Sequence, residues 1–339
     1  MILQQLSDAR GVSGHENDIR KVIYALAKPL ADECRVDALG NLICLKRGSD
    51  ASDGRKVMLA AHMDEIGLMV VGFNGDGTLQ FEKVGGIDDR VLLAKRVLLG
   101  DKQVPGVIGF PPIHLIPRGQ RSQAPDYEKM AIDIGANSAE EAKKRVDLGD
   151  YVSFDTHFEQ LTSDGLRMAK GKAFDDRAGC AVLLSLLEGD YPFDLYAVFT
   201  TQEEVGLRGA RVAAYSVAPD LAIVLEGTIC DDLPNKRDES PVTRVGNGPA
   251  ITFMDRSFIA DKGLFETLVR TAKELGIPFQ LKQAIAGGTD AGAIHLSREG
   301  VPAVTVAVPA RSIHAPVGMI SMQDLEYTVQ LVQAALQRL

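Results

Sequence analysis

Four short runs, apolar almost from end to end, recur between helical stretches of this chain: KVMLAA (56–61), LYAVFTT (195–201), LAIVL (221–225) and AVTVAV (303–308). A strand with one wet face alternates polar and apolar residues, whereas a run without that alternation is buried on both faces. Such strands, separated by helices, imply a mostly parallel sheet sandwiched by helices, an α/β fold. The helical spacing agrees. Ile19, Val22, Ile23 and Leu26 share one face of a helix reaching about Ala27, and Ser13 and Glu16 have capping-box spacing before it. Further helices are expected over Ala178–Leu187, Gly206–Tyr215, Lys262–Leu275, Asp290–Ser297 and Met322–Leu339. Two short strands are expected around Glu33–Asp37 and Leu42–Lys46.

From about Leu68 to Ser163 the texture changes to Gly- and Pro-rich sequence with short alternating runs such as GTLQFEKV and VPGVIGF. This reads as a small β-rich unit, residues 68–163, inserted into an α/β domain made of 1–67 and 164–339. Within it, the proline-rich segment Pro111–Tyr127 lacks periodicity and is expected as an exposed loop. A chain of 339 residues buries roughly three quarters of its unfolded surface and needs no disulfide staples. Cys34, Cys44, Cys180 and Cys230 form no CxxC pair, and reduced, mostly buried thiols are expected. With 37 basic and 46 acidic residues the formal charge is −9, which disfavours nucleic acid or anionic membrane as a partner. No leader pattern is present and no apolar run approaches the roughly 20 residues that span a bilayer, so a cytoplasmic location is expected.

The chemistry stands at the ends of the apolar runs. In open α/β sheets, ligands gather beyond the carboxyl ends of the strands. His62 follows KVMLAA directly, Glu203 and Glu204 follow LYAVFTT, Glu226 follows LAIVL, and His314 follows AVTVAV after a short loop. Asp175 and Asp176 lie in FDDRAG, a tight turn before a helix of small residues, with Arg177 placed to pair with a neighbouring carboxylate. Each taken alone is an ordinary strand-end or helix-start group. Together they have the ligand types and number for two neighbouring divalent metals with a water between them, a pair that generates hydroxide near neutral pH and polarises a carbonyl. Asp64, two residues after His62, suits a hydrogen bond from the non-coordinating imidazole nitrogen, which fixes the tautomer. Adjacent acids project differently, so of Glu203 and Glu204 one suits metal and the other proton transfer. Gly287–Asp290 offers backbone N–H groups to a substrate carbonyl or anion, and is not a phosphate loop.

A metal-dependent hydrolase is therefore expected. A glycosidase would also use paired carboxylates, but a chain with no Trp and 6% aromatic residues offers sugars little to stack on. A binding module with a degenerate site would have lost its proton-handling acids, yet Asp64 and Glu203 are both present.

The segments AHMDEIG, KAFDDRAG, TTQEEVGLRGA, GGTDAGAIH and SIHAPVG, with KVGGIDDRVLLAKRV and GVIGFPPIH in the β-rich stretch, resemble in order and spacing the tetrahedral or glutamyl aminopeptidase family. These are dinuclear zinc exopeptidases, some also called endoglucanases, and the resemblance covers essentially the whole chain. It implies a metalloaminopeptidase acting on short peptides, with a related dinuclear deacylase or carboxypeptidase as the alternative. One metal would be held by His62, Asp175 and Glu226, and the other by Asp175, Glu204 and His314. A water between the metals would be activated by Glu203, while Asp64 orients His62. Zn²⁺ is the expected ion, with Co²⁺ or Mn²⁺ as substitutes. Much of the family has Asp where this chain has Glu226, so a loosened site or a changed metal preference is expected there. The resemblance also implies homo-oligomers, namely dimers built by the inserted domain and a tetrahedral dodecamer of six dimers. Arg244, Asp255 and Arg256 are candidates to line the side-chain pocket, with structural salt bridges as the other reading.

Overall fold

A computed structural model describes residues 1–162, 165, 167–232 and 242–339. The domain boundary expected between 163 and 164 lies outside the described residues. Helices α1 (Ile2–Asp8) and α2 (Asn17–Ala27) precede strands β1 (Glu33–Val36), β2 (Leu42–Lys46) and β3 (Lys56–His62). Six strands follow: β4 (Gly67–Phe73), β5 (Leu79–Val84), β6 (Arg96–Leu99), β7 (Val104–Gly109), β8 (Ala131–Asp133) and β9 (Tyr151–Phe154), with the one-turn helix α3 (Ala139–Ala142) before β9. They close a barrel in the order β4-β5-β8-β7-β6-β9. The chain then runs through β10 (Glu159–Leu161), β11 (Met168–Gly171), α4 (Phe174–Leu186), β12 (Asp194–Thr200), α5 (Arg208–Val217), β13 (Leu221–Ile229) and β14 (Ala250–Thr252). It ends with α6 (Lys262–Leu275), β15 (Gln280–Leu281), α7 (Ala291–Ile294), β16 (Ala303–Arg311), β17 (Gly318–Ser321) and α8 (Met322–Leu336).

Among the described residues one sheet of eleven strands follows the path β1-β2-β12-β3-β13-β16-β17-β11-β10, with β14 and β15 attached beside β16. The four apolar runs form its centre, and β12, β3, β13 and β16 are mutually parallel. The flanks are antiparallel, β2 against β12 on one side and β17, β11 and β10 on the other. The expected parallel sheet is thus the central part of a mixed one. Successive side chains of β3 serve opposite faces. Val57, Leu59 and Ala61 pack in the core that includes α1, α2, α4, α6 and α8, while Met58 and Ala60 join α5 and α7 on the other side. This explains why the runs show no alternation. Each fully buried Val, Leu or Ile stabilises the fold by about 1.5–3 kcal/mol.

The barrel has its own core, with Leu68, Val70, Phe81, Val97, Ile108, Ile132 and Val152 inside. In β5, Leu79 and Phe81 point in while Gln80 and Glu82 point out, the alternation seen in the sequence. Pro111–Tyr127 is largely exposed and carries short 3-10 turns. Glu159–Leu161, although within the β-rich stretch, pairs with β11 at the edge of the large sheet.

Several local readings change. Glu16 stands at the N-cap position of α2, which begins at Asn17, but neither its side chain nor that of Ser13 makes a cap bond. The helix expected over Asp290–Ser297 is the short α7. Cys34 and Cys44 stand opposite one another in the β1–β2 register and form a disulfide, which corrects the reduced reading for these two. Cys180 is free and buried, and Cys230 is free and half-buried.

Candidate metal centre

The parallel register brings the carboxyl ends of the central strands together. His62 closes β3 and pairs with Thr200, the last residue of β12, so Glu203 and Glu204 emerge beside it. Glu226 lies within β13, on the other side of β3, because that strand runs four residues beyond its apolar stretch. His314 follows β16 in a left-handed backbone conformation, φ +56°. Asp175 and Asp176 have non-helical backbone at the start of α4. Gly227 allows the approach of this turn, since a Cβ there would lie 3.0 Å from the Asp175 Cα.

His62 Nε2 lies 3.0 Å from Asp175 Oδ1, 3.6 Å from Glu226 Oε2 and 3.9 Å from Glu203 Oε2. His314 Nε2 lies 3.4 Å from Asp175 Oδ2 and 3.5 Å from Glu204 Oε2. Asp175 therefore stands between the histidines and turns one oxygen to each. Ligand atoms of His62, Asp175 and Glu204 fall within 4.8 Å of one another, as do those of His62, Asp176 and Glu226. Asp176, however, is engaged at both oxygens. Oδ1 accepts from Gly179 N at 2.8 Å and Oδ2 from His62 N at 3.2 Å, which pins the β3 end to the α4 start. His314 is the most open member, with its side chain 40% exposed, so the site opens on that side. The crevice there is walled by Ile66, Phe174 and Arg311, and Asp232 grips the Arg311 guanidinium at 2.7 and 2.8 Å.

Burial sets the electrostatics. It pushes the carboxyls of Glu203, Glu226 and Asp176 well above the usual range and Glu204 up to about 7. Asp175 goes the other way, because hydrogen bonds and charge from His314 and His62 outweigh its burial. Burial alone would lower His314, but its hydrogen bond to Asp175 and the charge of Glu204 hold it up to about 10. A buried carboxylate is costly unless paired or coordinated. Here Asp175, Glu203, Glu204 and Glu226 share two histidines, and Glu226 Oε1 is buried with no partner among the described residues. Such an acidic, imidazole-containing donor set fits divalent cations.

The surrounding bonds orient these groups. Asp64 is buried, and its Oδ1 lies 3.4 Å from His62 Nδ1, long for a hydrogen bond. It accepts instead from Glu203 N at 3.0 Å and Glu204 N at 3.2 Å. His314 Nδ1 meets the Gly86 carbonyl at 2.8 Å, a contact from the segment after β5. Arg177 turns away from the aspartates beside it. Its Nη2 meets Glu65 at 3.3 Å and its Nη1 meets carbonyls at the end of α1. Lys172 Nζ binds both oxygens of Glu65, at 2.7 and 2.8 Å. This buried Lys172–Glu65–Arg177 group anchors the N-terminal segment beneath the Asp175 turn. Sequence reading missed Glu65 and Lys172, although both lie inside the conspicuous AHMDEIG and KAFDDRAG segments.

Other candidates find different places. Asp290 is buried, and its Oδ2 accepts from Thr200 Oγ1 at 2.5 Å rather than capping α7; burial pushes its carboxyl up to about 6. Asp255 is buried and accepts from Ser257, Phe258 and Thr289, so it holds a turn. Arg244 and Arg256 are exposed.

Residues 40–331 match the family model described as M42 glutamyl aminopeptidase. The lysyl aminopeptidase of Pyrococcus furiosus is 33% identical over 349 residues, covering 100% of this chain and 96% of that protein. Among solved structures, the TET aminopeptidase of a marine-sediment Thaumarchaeota archaeon superposes with a TM-score of 0.94 at 39% identity, covering 100% of this chain and 96% of that one. The TET1 peptidase of Pyrococcus horikoshii, reported to assemble into a tetrahedron or a large octahedral shell, gives 0.86 at 33% identity over 99% of this chain and 98% of its own.

Proposed function

This chain belongs to the M42 glutamyl aminopeptidase family, and on that premise we propose that it removes N-terminal residues from short peptides at a centre of two divalent metal ions. One observation carries the assignment: Asp175 turns one carboxylate oxygen to His62 and the other to His314, as a carboxylate shared by two ions must. His62 and Glu226 complete one ligand set, and Glu204 and His314 the other. Zn²⁺ is the proposed ion, with Co²⁺ or Mn²⁺ as substitutes, because nitrogen and oxygen ligands of this kind do not separate them. When bound, such ions polarise a carbonyl and lower the pKa of water.

The residues of the chain do the rest. Glu203 takes the proton of the attacking water and returns it to the leaving amine. Burial raises its carboxyl above the usual range, and a more basic carboxylate suits a group that accepts a proton in one step and returns it in the next. Asp64 holds the amides of Glu203 and Glu204, so the two acids keep different directions while their side chains stay free for different tasks.

Residues 68–163 are proposed as an inserted domain that builds dimers, with 1–67 and 164–339 as the catalytic domain. The tetrahedron described for the TET1 relative supports a homo-oligomer, and six dimers in a tetrahedral dodecamer is the assembly proposed. Among the described residues no helix is long and apolar enough to cross a membrane, which is compatible with the cytoplasmic location proposed.

Metal titration of chelator-stripped protein tests the centre. Two ions per chain are expected, with protons released on binding, because burial pushes the Glu204 carboxyl up to about 7 and the hydrogen bond to Asp175 with the charge of Glu204 holds His314 up to about 10, and both must deprotonate to serve as ligands. Apparent affinity should fall as pH drops from 8 to 6, by about tenfold per pH unit for each proton displaced. Binding of no ion, or an affinity independent of pH across that range, would contradict the ligand set.

A further inference from the structure

We propose that Glu16 and Ser13 are positioning residues for Glu203, carried on a strap, Arg10–Glu16, that ties the loop bearing the base to the barrel. The inference rests on the role proposed above for Glu203.

Both side chains have capping-box spacing, yet neither makes a cap bond to α2. Both are buried and both point elsewhere. Ser13 Oγ donates to Asp64 Oδ2 at 2.6 Å. Glu16 Oε1 accepts from Gly14 N at 2.6 Å and from Gln202 N at 3.3 Å. Asp64 in turn accepts from Glu203 N and Glu204 N. Three consecutive amides, those of residues 202, 203 and 204, therefore donate to two carboxylates rather than to a helix or a sheet. Gln202 has φ +55°, a left-handed conformation that a side chain of its kind seldom adopts and that persists only where the surroundings over-determine it. Glu16 and Asp64 supply that determination, and Ser13 fixes Asp64.

The other side of the strap touches the barrel. Arg10 Nη1 donates to the Gly100 carbonyl at 2.8 Å. The His15 ring stacks on Tyr151 of β9 at 5.0 Å, and its Nε2 lies 3.2 Å from Asp101 Oδ1. Gly14, at φ +90°, passes so close that a Cβ would lie 2.7 Å from the Tyr151 hydroxyl. One seven-residue segment thus contacts both the barrel and the base loop. Burying the Glu16 carboxylate near Asp64 is unfavourable in itself and has no purpose in capping a helix. The two amides it accepts give it one.

The test uses the full-length metal-loaded protein and three variants: Glu16→Ala, Glu16→Gln and Ser13→Ala. Measured are kcat and KM on an aminoacyl-anilide, bound metal, and amide hydrogen exchange across residues 200–206. In Glu16→Ala the exchange should quicken and kcat should fall about tenfold to a hundredfold, the scale of a small misplacement of a catalytic group. Metal content should stay at two ions and KM should hold within about twofold, since binding and ligation are untouched. Glu16→Gln keeps an oxygen acceptor, and its kcat should recover to within about threefold of the parent. Ser13→Ala, a smaller change, should quicken exchange at the same segment and lower kcat, and it serves should Glu16→Ala fail to fold. Unchanged exchange and kcat in the alanine variants overturns the proposal. Equal loss in Glu16→Gln and Glu16→Ala also overturns it, because charge rather than the acceptor would then matter. The exchange readout does not depend on chemistry. Normal turnover of a Glu203→Gln protein would sink the role of Glu203 itself, whatever the exchange data say.

Discussion

Glu203→Gln is expected to bind two metal ions per chain, the number expected of the parent, yet to turn over at least about a hundredfold more slowly, the usual scale for losing general acid–base catalysis. The substitution is isosteric; it removes the charge and the ability to take up and return a proton while keeping the backbone and the shape of the side chain. Glu203 is the outermost acid around His62, 3.9 Å from its Nε2 against 3.0 Å for Asp175 and 3.6 Å for Glu226, so the proposed ligand pairs keep their own contacts. Its amide, the part that Asp64 grips, is unchanged. KM should therefore move little while kcat falls, the pattern of an interaction made only in the transition state. Initial-rate kinetics beside metal analysis checks both halves. Near-normal turnover with two ions bound would remove Glu203 from its role, and loss of metal would make it a ligand instead.

Asp175→Asn should have the larger structural reach. One oxygen of Asp175 faces His62 and the other faces His314, so a single change weakens both ligand pairs. The carboxamide keeps one oxygen acceptor and gains a donor that would point at a histidine or a cation. Metal content is expected to fall below two ions per chain at micromolar free metal. Activity should fall at least about a thousandfold, because several kcal/mol of charge stabilisation are lost at 1.36 kcal/mol per decade. Metal analysis after gel filtration, with thermal melts as a check on folding, gives the answer. Retention of two tightly bound ions would show that Asp175 does not bridge them.

Much of this was legible in the sequence, and the unread parts share a physical cause. Runs such as KVMLAA and AVTVAV lack alternation because both their faces are covered, and that property is local. The positions of His62, Glu203, Glu204 and Glu226 follow from the same runs, since parallel strands deliver their carboxyl ends to one edge. The antiparallel flanks were not legible. Strand direction depends on how the chain returns, and β11 and β17, which pair side by side, are far apart in sequence. Ser13 and Glu16 show the limit most clearly. Their spacing is that of a helix cap, but Asp64 and Gln202, the groups that claim them, lie 51 and 186 residues away, and no local pattern announces partners at that distance. Asp290 stands at the start of α7 as its segment suggests, but its carboxylate turns to Thr200, 90 residues earlier, instead of capping the helix. Glu65 and Lys172 sit inside segments already singled out, but a buried ion pair across 107 residues looks like two surface charges until the chain is folded.

Metal-dependent aminopeptidase activity is tested most directly by hydrolysis of a panel of aminoacyl-anilides and their N-acetylated counterparts by chelator-stripped protein, with and without Zn²⁺ or Co²⁺. Cleavage is expected only when metal is restored and only when the α-amine is free. Cleavage of the acetylated substrates, or of either set without metal, would contradict it. So would failure to cleave any free-amine substrate with two ions bound, which would turn the assignment toward a deacylase or carboxypeptidase.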